Sequence, residues 1–253
     1  MGRFDDKVVL ITGTGGGQGR VAAQRFAQEG AIVVGCDVKE EGNAETIELV
    51  RAAGGRMSGT APVDLGDSAA ASAWVQAAAD EHGRVDVVYN NASAARFVPV
   101  DQMSDEDWHF TIRNELDLVF FVTRAAWPHL VAAGGGVIVN TGSIQGVIGT
   151  PHNPGLAHAA TKGAVIALTR QLAAEGAPHG IRAVCISPGA IETPGTAEML
   201  AVPEVRQGLL AGQLVQRLGQ PADIVELALH LASDAGSFIT GANFVVDGGA
   251  TAI

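Results

Sequence analysis

The chain holds a single tyrosine, Tyr89, and only two cysteines, Cys36 and Cys185, in 253 residues. Two thiols in apolar runs exclude a disulfide framework and give no metal-ligand spacing, so both read as small core residues of a protein kept in a reducing compartment. Positive charge is scarce: 16 Lys and Arg stand against 27 Asp and Glu, for a net charge of −11. That balance argues against nucleic acid and against an anionic membrane surface as partners. No apolar run reaches the ~20 residues that span a bilayer, and residues 1–7 carry no apolar signal core, so a soluble, cytoplasmic protein is expected. The seven histidines show no metal-ligand spacing, and no metal site is expected. What is abundant is glycine, with 33 residues, and apolar residues, at 47%. That composition excludes a mostly disordered chain, and the length suffices for a sizeable core.

Short apolar runs at 8–11, 31–36, 57–63, 85–89, 137–140, 181–186 and 243–246 read as strands. Helical spacing of apolar residues follows at 21–27, 44–53, 68–82, 107–133, 156–176 and 222–233. This alternation predicts an α/β fold: a doubly wound parallel sheet of about seven strands, a Rossmann fold, with helices on both faces. No linker, repeat or low-complexity segment interrupts it, so residues 1–253 are read as one domain. Trp74, Trp108 and Trp127 fall in expected helices and read as packing residues. Residues 190–218, irregular and rich in Gly and Pro, are the expected lid over a pocket. Their apolar members Met199, Leu200, Leu209 and Leu210 suit a moderately hydrophobic substrate or ordinary packing.

The first strand runs into Thr12-Gly13-Thr14-Gly15-Gly16-Gly17-Gln18-Gly19. Glycines here allow a tight turn, close approach of a pyrophosphate to the backbone, and close packing of the next helix on the sheet. The helix start adds free N–H groups and the positive end of a dipole. No Gly-Lys-Ser/Thr follows, which excludes a Walker loop. Asp37 ends the second strand, where a carboxylate can bind both ribose hydroxyls of adenosine and repel a 2′-phosphate. NAD is therefore favoured over NADP.

With these residues in place, the whole chain resembles the short-chain dehydrogenase/reductase family. Gly13, Gly17, Gln18 and Gly19 match its cofactor turn. Asp64-Leu65 looks like the pair that contacts adenine, and Asn90-Asn91-Ala92-Ser93 like its N-N-A-G element, with Ser93 in place of Gly. Asn114 falls where the family places a helix asparagine that holds a water leading to the lysine. Ser143 and Lys162 match the catalytic serine and lysine. Ile191 and Thr193 lie in the segment expected to embrace the nicotinamide, and Gly241 with Val246-Asp247-Gly248-Gly249 resembles the C-terminal signature. The resemblance implies a homotetramer or dimer and a small-molecule substrate.

The family signature Tyr-x-x-x-Lys appears here as His158-Ala159-Ala160-Thr161-Lys162. The lone Tyr89 lies in an expected strand and cannot simply substitute. Positions 158 and 162 share one helix face. Histidine is a competent general acid or base, but a positive Lys162 disfavours an imidazolium. Neutral imidazole is then expected at 158, a base suited to alcohol oxidation. His152, in the turn-rich loop after Ser143, is a substitute donor or a surface histidine, and Gln145 is a candidate to face substrate.

Three functions stay open on the sequence. The first is an NAD-dependent oxidoreductase acting on a secondary alcohol or its ketone, with Ser143, His158, Lys162 and Asn114 as its catalytic set. The second is an NAD-binding protein with non-redox chemistry: proton transfer, elimination or isomerisation. The third is a catalytically weak regulatory protein.

Overall fold

The computed structural model describes residues 2–150 and 154–253. The strands are β1 (Val8–Thr12), β2 (Ile32–Cys36), β3 (Arg56–Thr60), β4 (Val87–Asn90), β5 (Gly136–Thr141), β6 (Ile181–Pro188) and β7 (Asn243–Val246). They form one seven-stranded sheet in the order β3-β2-β1-β4-β5-β6-β7, and all neighbours run parallel. The fold class expected from the strand–helix alternation is the one observed.

Alternation along each strand feeds two cores. Val8 and Leu10 of β1 face Trp74 and Val75 of α3 (Ser68–His82), Leu118 and Val122 of α5 (Leu118–Ala132), and Val165 of α6 (Leu156–Gly176). Val9 and Ile11 point the other way, towards Phe26 of α1 (Gly17–Gln28), Val50 of α2 (Glu40–Ala52) and Leu229 of α9 (Pro221–Ala232). Each such Leu, Ile or Phe contributes about 1.5–3 kcal/mol by leaving water, and strands buried on both faces show no polar alternation. The helix limits have local causes. The Asp67 carboxylate accepts hydrogen bonds from Ala69 N and Ala70 N at the start of α3, and Gly83 ends that helix in the left-handed region at φ 72°.

The chain leaves β1 on one side through β2 and β3, then returns to the other side at β4. This reversal opens a crevice at the carboxyl ends of β1 and β4, where α/β sheets bind their ligands.

Several boundaries differ from expectation. The strand expected over 57–63 ends at Thr60, before Pro62, which has no N–H for the ladder. The strand expected over 85–89 begins at Val87 and reaches Asn90. The single helix expected over 107–133 is α4 (Asp105–Ile112), a π-helical turn (Arg113–Asp117), and then α5. Such a turn inserts an extra residue and rotates the side chains after it around the axis, which apolar periodicity cannot reveal. Residues 190–218 contain two short helices, α7 (Ala197–Leu200) and α8 (Pro203–Ala211). Among the described residues, no helix is long and apolar enough to cross a membrane.

Candidate active site

The turn between β1 and α1 has the bare backbone a phosphate needs. Gly13 sits at φ 76° and Gly17 at φ 52°, where a side chain is strained. A Cβ on Gly19 would collide with the Gly13 carbonyl oxygen. Asp37 turns its carboxylate onto this loop: it accepts from Gly15 N at 2.7 Å and from Lys39 N at 2.8 Å. Asn91 closes the other wall, donating from Nδ2 to the Thr12 carbonyl at 2.9 Å. The Thr12 hydroxyl accepts from Asn91 N and Ala92 N, which fastens the end of β4 to the end of β1. Gln18 lies in the first turn of α1 with its buried Oε1 unpartnered among the described residues. These residues fit a dinucleotide: an open N–H cradle at a helix start, with a carboxylate at the tip of the second strand.

Beside this cradle stand Ser143, His158 and Lys162. Ser143 follows the end of β5, and its Oγ accepts from Gln145 N at 3.1 Å. The short turn Ile144–Gly146 presses on α6 so closely that a Cβ on Gly146 would lie 2.7 Å from Gly163 N. Lys162 is 3% exposed, and its Nζ donates to the Thr141 carbonyl at 3.1 Å. His158 stands one turn earlier on α6, its ring tilted against Phe97 at a centroid distance of 5.3 Å.

His158 and Lys162 converge on Glu115, in the π-helical turn and 1% exposed. Both of its carboxylate oxygens lie 2.9 Å from His158 Nδ1. Its Oε1 accepts from the Ser93 hydroxyl at 2.5 Å and its Oε2 from the Thr161 hydroxyl at 2.6 Å. Lys162 Nζ is 3.8 Å from Oε1. Burial pushes this carboxyl up, but the Lys162 ammonium, the His158 N–H and the Ser93 hydroxyl outweigh it and hold the group at about 2. Lys162 therefore does not act alone on His158, as the sequence expectation supposes. A carboxylate lies against the ring as well.

Asn114 occupies the second position of the π-helical turn: its Nδ2 donates to the Phe110 carbonyl at 2.8 Å, and its Oδ1 faces Arg113 at 3.5 Å. Glu115, one residue on, is the side chain that reaches Lys162. A signal was nevertheless present. Glu115 continues the apolar face of Leu118, Val119 and Val122, and a carboxylate in a core row needs buried donors.

Asp64 pairs with Arg113 at 2.6 Å, which draws its carboxyl below the usual range, and Leu65 is buried in the α3–α5 core. Tyr89 is fully buried, and burial pushes its phenol up, so it offers no proton to a ligand. Gln145 Nε2 donates to Thr150 Oγ1 at 3.1 Å. His152 lies outside the described residues. Ile191 is buried and forms a parallel bridge with Gly219, which ties together the two ends of the 190–218 segment. Thr193 packs towards the glycine turn, 3.4 Å from where a Cβ of Gly17 would stand. A cavity of about 450 Å³ opens beneath α7, lined by Thr193, Pro194, Leu200 and Arg206 among others.

The model of a family described as Enoyl-(Acyl carrier protein) reductase matches residues 13–251. A cyclopentanol dehydrogenase of Comamonas testosteroni is 36% identical over 252 residues, covering 100% of both chains. A cyclohexanol dehydrogenase of Acinetobacter sp. is 35% identical over 250 residues, covering 98% of this chain and 96% of that one. Among solved structures, a 7α-hydroxysteroid dehydrogenase complexed with NADH and 7-oxo glycochenodeoxycholic acid superposes with a TM-score of 0.92. It is 30% identical and covers 98% of this chain and 95% of that one. A match of this length, on a sheet of this order with a cradle of this form, places the protein among oxidoreductases that use a nicotinamide cofactor: the chain belongs to the short-chain dehydrogenase/reductase family.

Proposed function

We propose that the protein is an NAD-dependent dehydrogenase that interconverts an uncharged secondary alcohol and its ketone, with His158 exchanging the hydroxyl proton. One observation carries this reading: His158 takes the place of the missing phenol one turn before Lys162, with Nδ1 anchored on a buried carboxylate. A side chain left over from a lost activity has no need of such an anchor.

Gly13, Gly17, Gln18, Gly19 and Asn91 would hold the dinucleotide, with Asp64 and Leu65 at the adenine end and Ile191 and Thr193 at the nicotinamide end. When bound, the nicotinamide supplies the hydride acceptor for oxidation or the hydride donor for reduction. Ser143 hydrogen-bonds the substrate oxygen and His158 takes or returns its proton. Lys162 binds the nicotinamide ribose and keeps positive charge beside the site. Asp37 supports NAD over NADP, because a carboxylate there accepts two hydroxyls and repels a phosphate. The nearby Arg20 offers no free cation for a 2′-phosphate: it is bound to Glu45 at 2.5 Å and Thr46 at 3.0 Å.

Phe97, Val147, Ile148 and Leu156 are exposed apolar residues on the loops and helix start around His158. They favour a cyclic or otherwise apolar alcohol, in keeping with the cyclopentanol and cyclohexanol dehydrogenases among the relatives. In this reading residues 190–218 are the lid of one domain spanning 1–253. The protein works as a cytoplasmic homo-oligomer, a tetramer or dimer, and exposed Phe238 and Ile253 supply apolar surface for an interface.

The test is NAD⁺ reduction with a panel of secondary alcohols, for the parent protein and His158→Ala. Turnover by the parent and its loss in His158→Ala support the reading. Turnover that survives the substitution with an unchanged pH profile overturns it.

A further inference from the structure

Two departures from the family pattern, Ser93 and His158, meet on one side chain. Ser93 Oγ and His158 Nδ1 both donate to Glu115, and Thr161 donates to it as well. An ionised carboxylate only accepts hydrogen bonds. Nδ1 must then carry the ring's hydrogen, and in the neutral ring Nε2 is the bare nitrogen.

The geometry points to Glu115 as the positioning residue of a carboxylate–imidazole pair that stands in for the phenol of this family. Glu115 acts through His158. It fixes the tautomer that presents Nε2 as a base, and its charge offsets Lys162 when Nε2 takes the proton of the alcohol. Without Glu115, a proton on the ring would face the Lys162 ammonium unopposed. Among the described residues, the charged group in contact with the ring is Glu115; Lys162 Nζ stands 3.8 Å from its Oε1, and on the same π turn Arg113 pairs with Asp64. On α4, which packs on α6, Asp107 closes the Ser104 cap, while His109 Nδ1 meets the Asp105 carbonyl. On the strand loop, Arg96 lies over the Phe110 ring. The inference rests on the proposed dehydrogenase reading, in which His158 moves the proton.

The first experiment is nitrogen-15 NMR of the histidine rings in the protein without added cofactor, with His158 assigned by its loss in His158→Gln. The expected signal in neutral His158 is N–H character at Nδ1 and a bare Nε2, with the preference lost in Glu115→Gln. The second is the pH profile of kcat/KM for alcohol oxidation. In Glu115→Gln, kcat falls on the order of 10²- to 10⁴-fold, as when a triad carboxylate is neutralised, and the acid limb moves to lower pH. NAD affinity stays within about threefold, a split between kcat and binding that general structural damage does not produce. If Glu115→Gln does not fold, Glu115→Asp replaces it, and withdrawing the carboxylate by one methylene moves both readouts in the same direction. A bare Nδ1 in the parent, or an unchanged tautomer and acid limb in the folded variant, overturns the inference. If His158→Ala abolishes turnover while those readouts stay unchanged, the dehydrogenase reading survives and the Glu115 role fails. If His158→Ala leaves turnover and its pH profile intact, the dehydrogenase reading itself fails, and the Glu115 role falls with it.

Discussion

Nδ1 of His158 lies 2.9 Å from both carboxylate oxygens of Glu115, across 43 residues of chain. The contact joins α6 to the π-helical turn, and Ser93 brings in the loop after β4. His158 is thus accompanied by a carboxylate that suits a ring N–H and would oppose a phenolate.

This relationship predicts that His158→Tyr alone does not create a working site. A phenolate beside the buried Glu115 carboxylate is disfavoured by like charge. Activity should stay at least ~10²-fold below the parent, and Glu115→Gln in the same chain should recover part of it. Steady-state rates for both single variants and the double variant give the coupling, which should exceed about 1 kcal/mol. Strict additivity would show that the two positions are independent.

Glu115 also predicts the response to acid. Its folded-state pKa, about 2, lies below the ordinary 4.5. The unfolded chain therefore binds the extra proton between these values, and stability rises with pH across that window. The contribution is complete above about pH 4.5 and is lost as pH falls towards 2. It amounts to roughly 3 kcal/mol. Urea midpoints measured from pH 7 to pH 3 should fall less steeply for Glu115→Gln than for the parent. Equal slopes would mean that Glu115 carries no such shift.

At the cofactor end, Asp37→Ala should weaken NAD binding at least ~10-fold and NADP binding far less, because only the ribose hydroxyls lose an acceptor. Fluorescence titration with both cofactors reads the ratio. Equal losses would remove Asp37 from the ribose site and leave it as a brace for Gly15 N.

Gly146→Ala tests how the Ser143 loop is seated. The new methyl group would lie 2.7 Å from Gly163 N and from the Lys162 carbonyl carbon. Forcing the turn off α6 should cost about 1–3 kcal/mol in stability. It should also lower kcat, because the turn carries Ser143. A variant with parental kcat would show that Ser143 is not placed by this contact.

The sequence by itself determined the layered fold and most of the cofactor cradle. Short apolar runs such as 8–11, set between glycine turns and helical spacing, read as strands buried on both faces, and the glycines among 13–19 leave a turn with little side chain in the way. The neighbours His158 and Lys162 were legible too, because one helical turn places them on the same face. The partner of His158 was not. Glu115 lies in a π-helical turn, 43 residues before the His158 ring it meets. Helical spacing puts Glu115 in the row of Leu118, Val119 and Val122, but the spacing does not name the donors that meet it there. Nor does the chain between Ser93, Glu115, Thr161 and Lys162 indicate that they share one buried volume. Only the tertiary structure brings the Ser93 and Thr161 hydroxyls within hydrogen-bonding range of Glu115 and the Lys162 ammonium to 3.8 Å, where the low local dielectric gives each its strength.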